Sequence, residues 1–173
     1  MNRCIPFLAA AACAAGTLHA QDNPLSAGNK YLYTMIKTNI VKAAQKMPEE
    51  NYSFKPTPEV RSFGQIIGHV ADAQYLFCSA VKGEKKSPDN EKTKTSKADL
   101  VAALQEAFAY CDGVYNAMTD AAAPNPLKFF GQDATKLGVL SFNVAHDNEH
   151  YGNIVTYMRL KSLVPPSSES NSP

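Results

Sequence analysis

The sequence predicts an all-α fold, a four-helix bundle, on three observations. Four segments repeat apolar residues at the three-and-four spacing of a helix that hides one face. Two of them are preceded by a serine with a polar partner three residues on, the signature of a helix start. No stretch alternates apolar and polar residues convincingly as a half-buried strand would. Amphipathic helices without strands bury their stripes against one another, and a bundle is the default arrangement.

The N-terminus, MNRCIPFLAAAACAAGTLHAQ, precedes these helices and reads as a secretory signal peptide over residues 1–20. Arg3 supplies the positive start, Ile5 to Ala15 the apolar run, and small residues the approach to Gln21. The run is short of the ~20 residues a membrane span needs, and no other segment comes close. Cys13 raises a lipoprotein alternative, but Ala10 stands where a leucine would be expected. The chain is therefore expected to be exported, periplasmic or secreted, with no membrane span.

The first helix covers about residues 25–47, with Leu32, Ile36, Asn39, Ala43 and Met47 as its repeat and Pro48 as its stop. A proline- and aromatic-punctuated loop leads to Ser62, which with Gln65 forms a capping box for the second helix. That helix carries Ile66, His69, Ala73, Leu76 and Ala80 in line, which places His69 at a core position, and Gly83 ends it. Residues 84–96 (EKKSPDNEKTKTS) are polar and lysine-rich and read as a solvated loop, and the acids that interleave the lysines argue against a nucleic-acid arm. The third helix begins after Ser96, with Asp99 three residues on, and buries Leu100, Ala103, Ala107, Cys111, Val114 and Met118. Residues 121–133 are a proline-broken connection whose Phe129 and Phe130 close one end of the bundle. The fourth helix covers about residues 134–163, up to Pro165 and Pro166, and residues 164–173 form a disordered tail. One domain over residues 21–163 is long enough to bury a real core.

Removing Arg3 with the leader leaves 16 basic residues of the original 17 against 16 acidic, a neutral chain without a basic stripe. Nucleic acid is not the expected partner. Two cysteines remain, Cys78 and Cys111, and in an exported protein such a pair invites a disulfide. Helix direction decides the matter. If the second and third helices ran antiparallel, Cys111 would stand near the level of His69, and Cys78 would be too far for the ~7 Å that a disulfide allows. Cys111 could then be a fourth metal ligand. If the helices run parallel, the two cysteines lie at similar height, and a 13-residue loop reaches ~43 Å, enough for the crossover.

Of four histidines, His19 leaves with the leader, and His69, His146 and His150 remain. His146 and His150 are four apart, so on a helix they stack one turn apart within reach of one ion. His69 comes from another helix, and two ligands from one helix with one from a second is how a bundle builds a metal centre. Three separate buried imidazoles would each need a partner, at ~1–3 kcal/mol for one left unsatisfied; a shared ion satisfies all three. On a helical layout Val139 and Tyr157 lie near the centre of the His146/His150 face, with Phe142, Asn143 and Asn153 close by and Asp147 and Glu149 to either side. Gln65 and Asp72 flank His69. Glu149 or Asp147 is the candidate proton acceptor for a water or thiol activated at such a site; the competing reading makes them surface carboxylates or supports of the ligands.

Two named motifs fail on these residues. His146 to His150, HDNEH, matches the H-x-x-E-H of inverted zinc peptidases, but the only acid downstream of Glu149 is Glu169, in the expected tail. A di-iron bundle needs Glu-x-x-His on two helices, and Ile66 stands three residues before His69.

The stretch GHVADAQYLFC around His69, with HDNEHYGNIVTYMRLKSLVPPSS at the end, resembles the DinB/YfiT-like (damage-inducible) metalloprotein family over essentially the whole chain after the leader. That family has one histidine on its second helix and H-x-x-x-H followed by R-G-Q on its fourth. Here Tyr151-Gly152-Asn153 follows, which keeps the glycine and puts any role of the arginine in doubt. The resemblance implies up-down-down-up connectivity, hence parallel second and third helices, and frequent homodimers. It also implies His69, His146 and His150 as ligands to a divalent metal, zinc or nickel foremost, iron or manganese otherwise. Family activities suggest a hydrolase or a thiol-type transferase acting on a small-molecule electrophile, although export is unusual for thiol transfer. The contrasting expectation is a non-enzymatic metal-binding or interaction domain. An enzyme should show an open coordination position beside a pocket that includes Tyr157, Asn153 or Asp72.

Overall fold

The computed structural model describes residues 23–169. Residues 1–22, which include the segment expected to be a leader, and residues 170–173 lie outside that span. Five helices follow in order: α1 Pro24–Lys46, α2 Phe63–Lys82, α3 Asn90–Thr93, α4 Lys97–Ala117 and α5 Lys136–Leu160, with a hairpin of β1 Pro126–Phe129 and β2 Gln132–Thr135 before α5. Among the described residues no helix is long and apolar enough to cross a membrane.

The helix starts follow local chemistry. Ser62 Oγ accepts from Gln65 N while Gln65 Oε1 accepts from Ser62 N, a complete capping box. Ser96 Oγ accepts from Asp99 N at the head of α4. Gly83 ends α2 in the left-handed conformation, φ 76°. The start of α1 is capped from afar: Asp120, in the loop after α4, accepts from Leu25 N and Ser26 N at 3.0 and 2.8 Å.

The four long helices form the bundle, running up-down-down-up. Starts of α2 and α4 meet, since a side chain at Gly64 would touch Leu100, so those two are parallel. Gln74 of α2 contacts Asn143 and Asp147 of α5, and Tyr157 reaches back to Arg61, so α5 opposes α2. The start of α1 lies against the end of α4, where the Tyr33 hydroxyl donates to Phe108 O and Asp112 at 3.0 Å each. Fully buried Phe63, Phe77, Phe108, Ile67, Leu104, Leu140 and Ile154 fill the interior. The parallel pair brings Cys78 and Cys111 together as a disulfide, Cα atoms 5.5 Å apart.

Several expectations are corrected. The buried line of α1 is Tyr33, Ile36, Ile40, Ala43, Ala44 and Met47, while Leu32 is exposed. Residues 84–96 contain the helical turn α3, with Asn90 buried. The proline-broken connection holds a hairpin whose two turn residues, Phe130 and Gly131, both have positive φ (49° and 76°). That is the mirror-image turn that matches strand twist, and glycine or asparagine suits it better than phenylalanine. Phe129 packs on Phe77, but Phe130 is 68% exposed. Finally, residues 164–169 do not float free: Pro166–Ser168 is a 3₁₀ turn, Ser167 is hydrogen-bonded to the Tyr151 hydroxyl, and Glu169 pairs with Lys46.

Candidate metal centre

His69 on α2 and His146 and His150 on α5 come together at the edge of the bundle rather than at its centre. The innermost positions of α5 are Leu140, Asn143, Asp147, Ile154 and Met158, while the His69 and His146 side chains are only half-buried. The three rings turn their Nε2 atoms inward: His146 Nε2 lies 3.2 Å from His69 Nε2 and 3.1 Å from His150 Nε2. Among the described residues these three form the cluster able to hold an ion.

The donor geometry fits a divalent metal. Bonds of ~2.0–2.1 Å separate two nitrogens by about 3.3–3.4 Å at a tetrahedral angle and about 2.8–3.0 Å at a right angle, and the observed spacings fall between. Glu91 accepts from His69 Nδ1 at 3.0 Å, which leaves His69 Nε2 as a bare lone pair. A proton on His146 Nε2 satisfies one of its two close contacts well and the other poorly, whereas one cation takes all three lone pairs. The Nδ1 atoms of His146 and His150 are buried with no protein partner, so neither ring is tied to an alternative hydrogen bond in the core.

Burial, then the neighbouring rings and Arg61, push His146 down to about 4 and His150 down to about 3. Both are therefore neutral and ready to ligate at pH 7. A base whose folded pKa lies below its unfolded value, 6.5, favours the unfolded chain as pH falls from about 6.5 toward 4. Asp147 acts with the opposite sign, because burial holds its carboxyl well above the usual range and its contribution worsens as pH rises. A site-specific readout separates them. In metal-free protein the His146 and His150 ring resonances should stay those of neutral imidazole down to pH 5 by NMR; midpoints near 6.5 would contradict the packing described here.

The support of His69 was not legible in the sequence. Burial alone would raise the Glu91 carboxyl, but hydrogen bonding and charge from Arg61, with His69 behind it, hold it below the usual carboxylate range. Glu91 sits on α3, whose first backbone N–H groups, Asn90 N and Glu91 N, donate to Asp72 at 2.9 and 3.0 Å. Gly68 lets that turn lie flat on α2, because a Cβ there would stand 2.7 Å from Glu91 Cα. Asp72, expected beside His69, thus holds the element that orients His69.

The two acids proposed as proton acceptors part company. Asp147 is wholly buried, and its Oδ1 accepts from Gln74 Nε2 at 2.7 Å. It lines neither cavity at the histidines and takes no part in the metal-binding cluster. Glu149 is exposed and lines a polar cavity of about 500 Å³ with His150, Arg61, Glu91, Asn153 and Tyr157. A second cavity of about 360 Å³ meets the other two histidines, His69 and His146, together with Asp72. All three residues expected in a pocket, Asp72, Asn153 and Tyr157, therefore face a cavity that touches a candidate ligand.

Residues 33–154 match the model of the DinB superfamily. Among curated relatives, the uncharacterised protein YjoA of Bacillus subtilis is 23% identical over 119 residues, 67% of this chain and 77% of YjoA. Solved structures resemble it in fold. A DinB-like protein from Bacillus cereus superposes with a TM-score of 0.71 at 19% identity, covering 81% of this chain and 95% of that one. The DinB-like YjoA of Bacillus subtilis gives 0.67 at 18% identity, covering 87% and 100%. A conserved protein of Enterococcus faecalis gives 0.65 at 13%, covering 78% and 95%.

Proposed function

The chain belongs to the DinB superfamily, and on that footing we propose that it is an exported divalent-metal protein whose three-histidine site activates water or a thiol against a small electrophile. The observation that carries this reading is the convergence of His69, His146 and His150 Nε2, each of the three histidines lining one of two cavities. Three neutral nitrogen donors leave coordination positions for an outside ligand, which is how reactive rather than structural sites are built. An ion in that position, zinc or nickel in the first instance, acidifies a water or thiol toward neutral pH.

The chain's own residues do the rest. Glu91 fixes the His69 tautomer through Nδ1 and is itself held by Arg61. The Tyr157 hydroxyl donates to Arg61 O at 2.6 Å, which pins the preceding loop beside His150. Glu149, at the polar cavity, is the carboxylate placed to take a proton; Asp147 is better read as a buried structural acid. The disulfide supports export, because such bonds persist in oxidising compartments.

An open site answers to added ligands. Cobalt-substituted protein should change its visible spectrum on addition of a small thiol or azide, as the added donor displaces water at the open position. A spectrum indifferent to both means a closed shell and returns the site to the structural, non-enzymatic reading.

A further inference from the structure

Of the exposed large hydrophobic residues, three gather at one place. Leu76 is 41% exposed, Phe142 49% and Phe130 68%, and all three line the 360 Å³ cavity that also touches His69 and His146. Single exposed apolar side chains are ordinary, but three around one cavity mark a binding surface. Phe77 floors it, with its ring centroid 5.3 Å from Phe142 and 5.4 Å from His146, so the aromatic wall runs directly onto a candidate ligand. Phe130 is held there by a backbone conformation, φ 49°, that a phenylalanine adopts only at a cost. Turn formation does not explain the ring, since asparagine would make the turn more readily.

The cavity's two charged residues are occupied elsewhere. The Lys86 ammonium sits over the Tyr110 ring, 4.6 Å from its centroid. The Asp72 carboxylate accepts from α3 backbone N–H groups. What faces the cavity is therefore apolar, in contrast to the polar cavity at His150, which holds Arg61, Glu91 and Glu149.

We infer that this cavity is a subsite for an aryl or branched-alkyl group of the substrate. Its donor head reaches the three histidines, and its polar remainder lies toward Arg61 and Glu149. The inference rests on the open-site reading above for the head group alone. The apolar subsite stands on its own geometry.

Two hydroxamates separate the parts, since acetohydroxamate and benzohydroxamate share a metal-binding head and differ in the aryl group. On zinc-loaded protein, calorimetry should show benzohydroxamate binding at least ~10-fold more tightly, the scale at which apolar pockets discriminate. Phe142→Ala and Phe130→Asn should each shrink that preference severalfold while zinc content and acetohydroxamate affinity stay unchanged. Phe130→Asn suits the left-handed backbone, so it should fold at least as well as the parent. Equal affinities for the two compounds, or a preference that survives both substitutions, overturn the subsite. If zinc is bound but neither hydroxamate binds, the open-site reading fails. The subsite is then judged on metal-free protein, where toluene should perturb NMR signals of Leu76, Phe77 and Phe142; perturbations elsewhere, or none, overturn it as well.

Discussion

Replacing His150 with alanine should weaken zinc binding by more than ~100-fold, beyond the ~10–100-fold that loss of an outer partner costs, with the helical fold intact. His150 Nε2 is one of the three converging donors, and its ring has no other hydrogen-bond partner among the described residues. Burial, with the two neighbouring imidazoles behind it, disfavours the charged ring and keeps it neutral. A chelator-competition titration with circular dichroism reads both quantities. Unchanged zinc affinity would remove His150 from the site; collapse of the fold would make it a core residue first.

The largest effect on stability should come from the disulfide. Cys78 and Cys111 are 33 residues apart, and closing a loop of that length contributes ~3–4 kcal/mol in the chain-entropy account. Replacing both with alanine should lower the melting temperature by ~10 °C for a domain of this size, with zinc stoichiometry unaffected, because the bond ties α2 to α4 away from the histidines. A shift under ~2 °C, on the same scale, would contradict that role.

What could be read in advance depends on range. Ser62 with Gln65, Ser96 with Asp99, and the four-residue step from His146 to His150 act within one turn of helix, and each took the predicted form. The stripe on α1 was displaced, because Ile36, Ala43 and Met47 belong equally to a line through Leu32 and one through Tyr33. Tertiary contact chose between them, through the Tyr33 hydroxyl bonds to α4. Glu91 was hidden for the same reason. Nothing in a lysine-rich loop announces that Asp72, 18 and 19 residues away, will seize its backbone and aim its carboxylate at His69. Asp120 caps α1 across 94 and 95 residues, beyond any local signal. The hairpin escaped because its strands are four residues each and Phe130 occupies a turn position that usually announces itself with asparagine or glycine. Helix direction, and with it the pairing of the cysteines, came from family resemblance rather than from periodicity.

The central claim is that His69, His146 and His150 together hold one divalent ion. Elemental analysis of protein purified without chelators or metal-affinity resin, with the His150→Ala variant alongside, tests it most directly. Close to one ion per chain in the parent and almost none in the variant is the predicted result. A parent that carries no ion and takes up none from added zinc, or a variant with the same content as the parent, would contradict it.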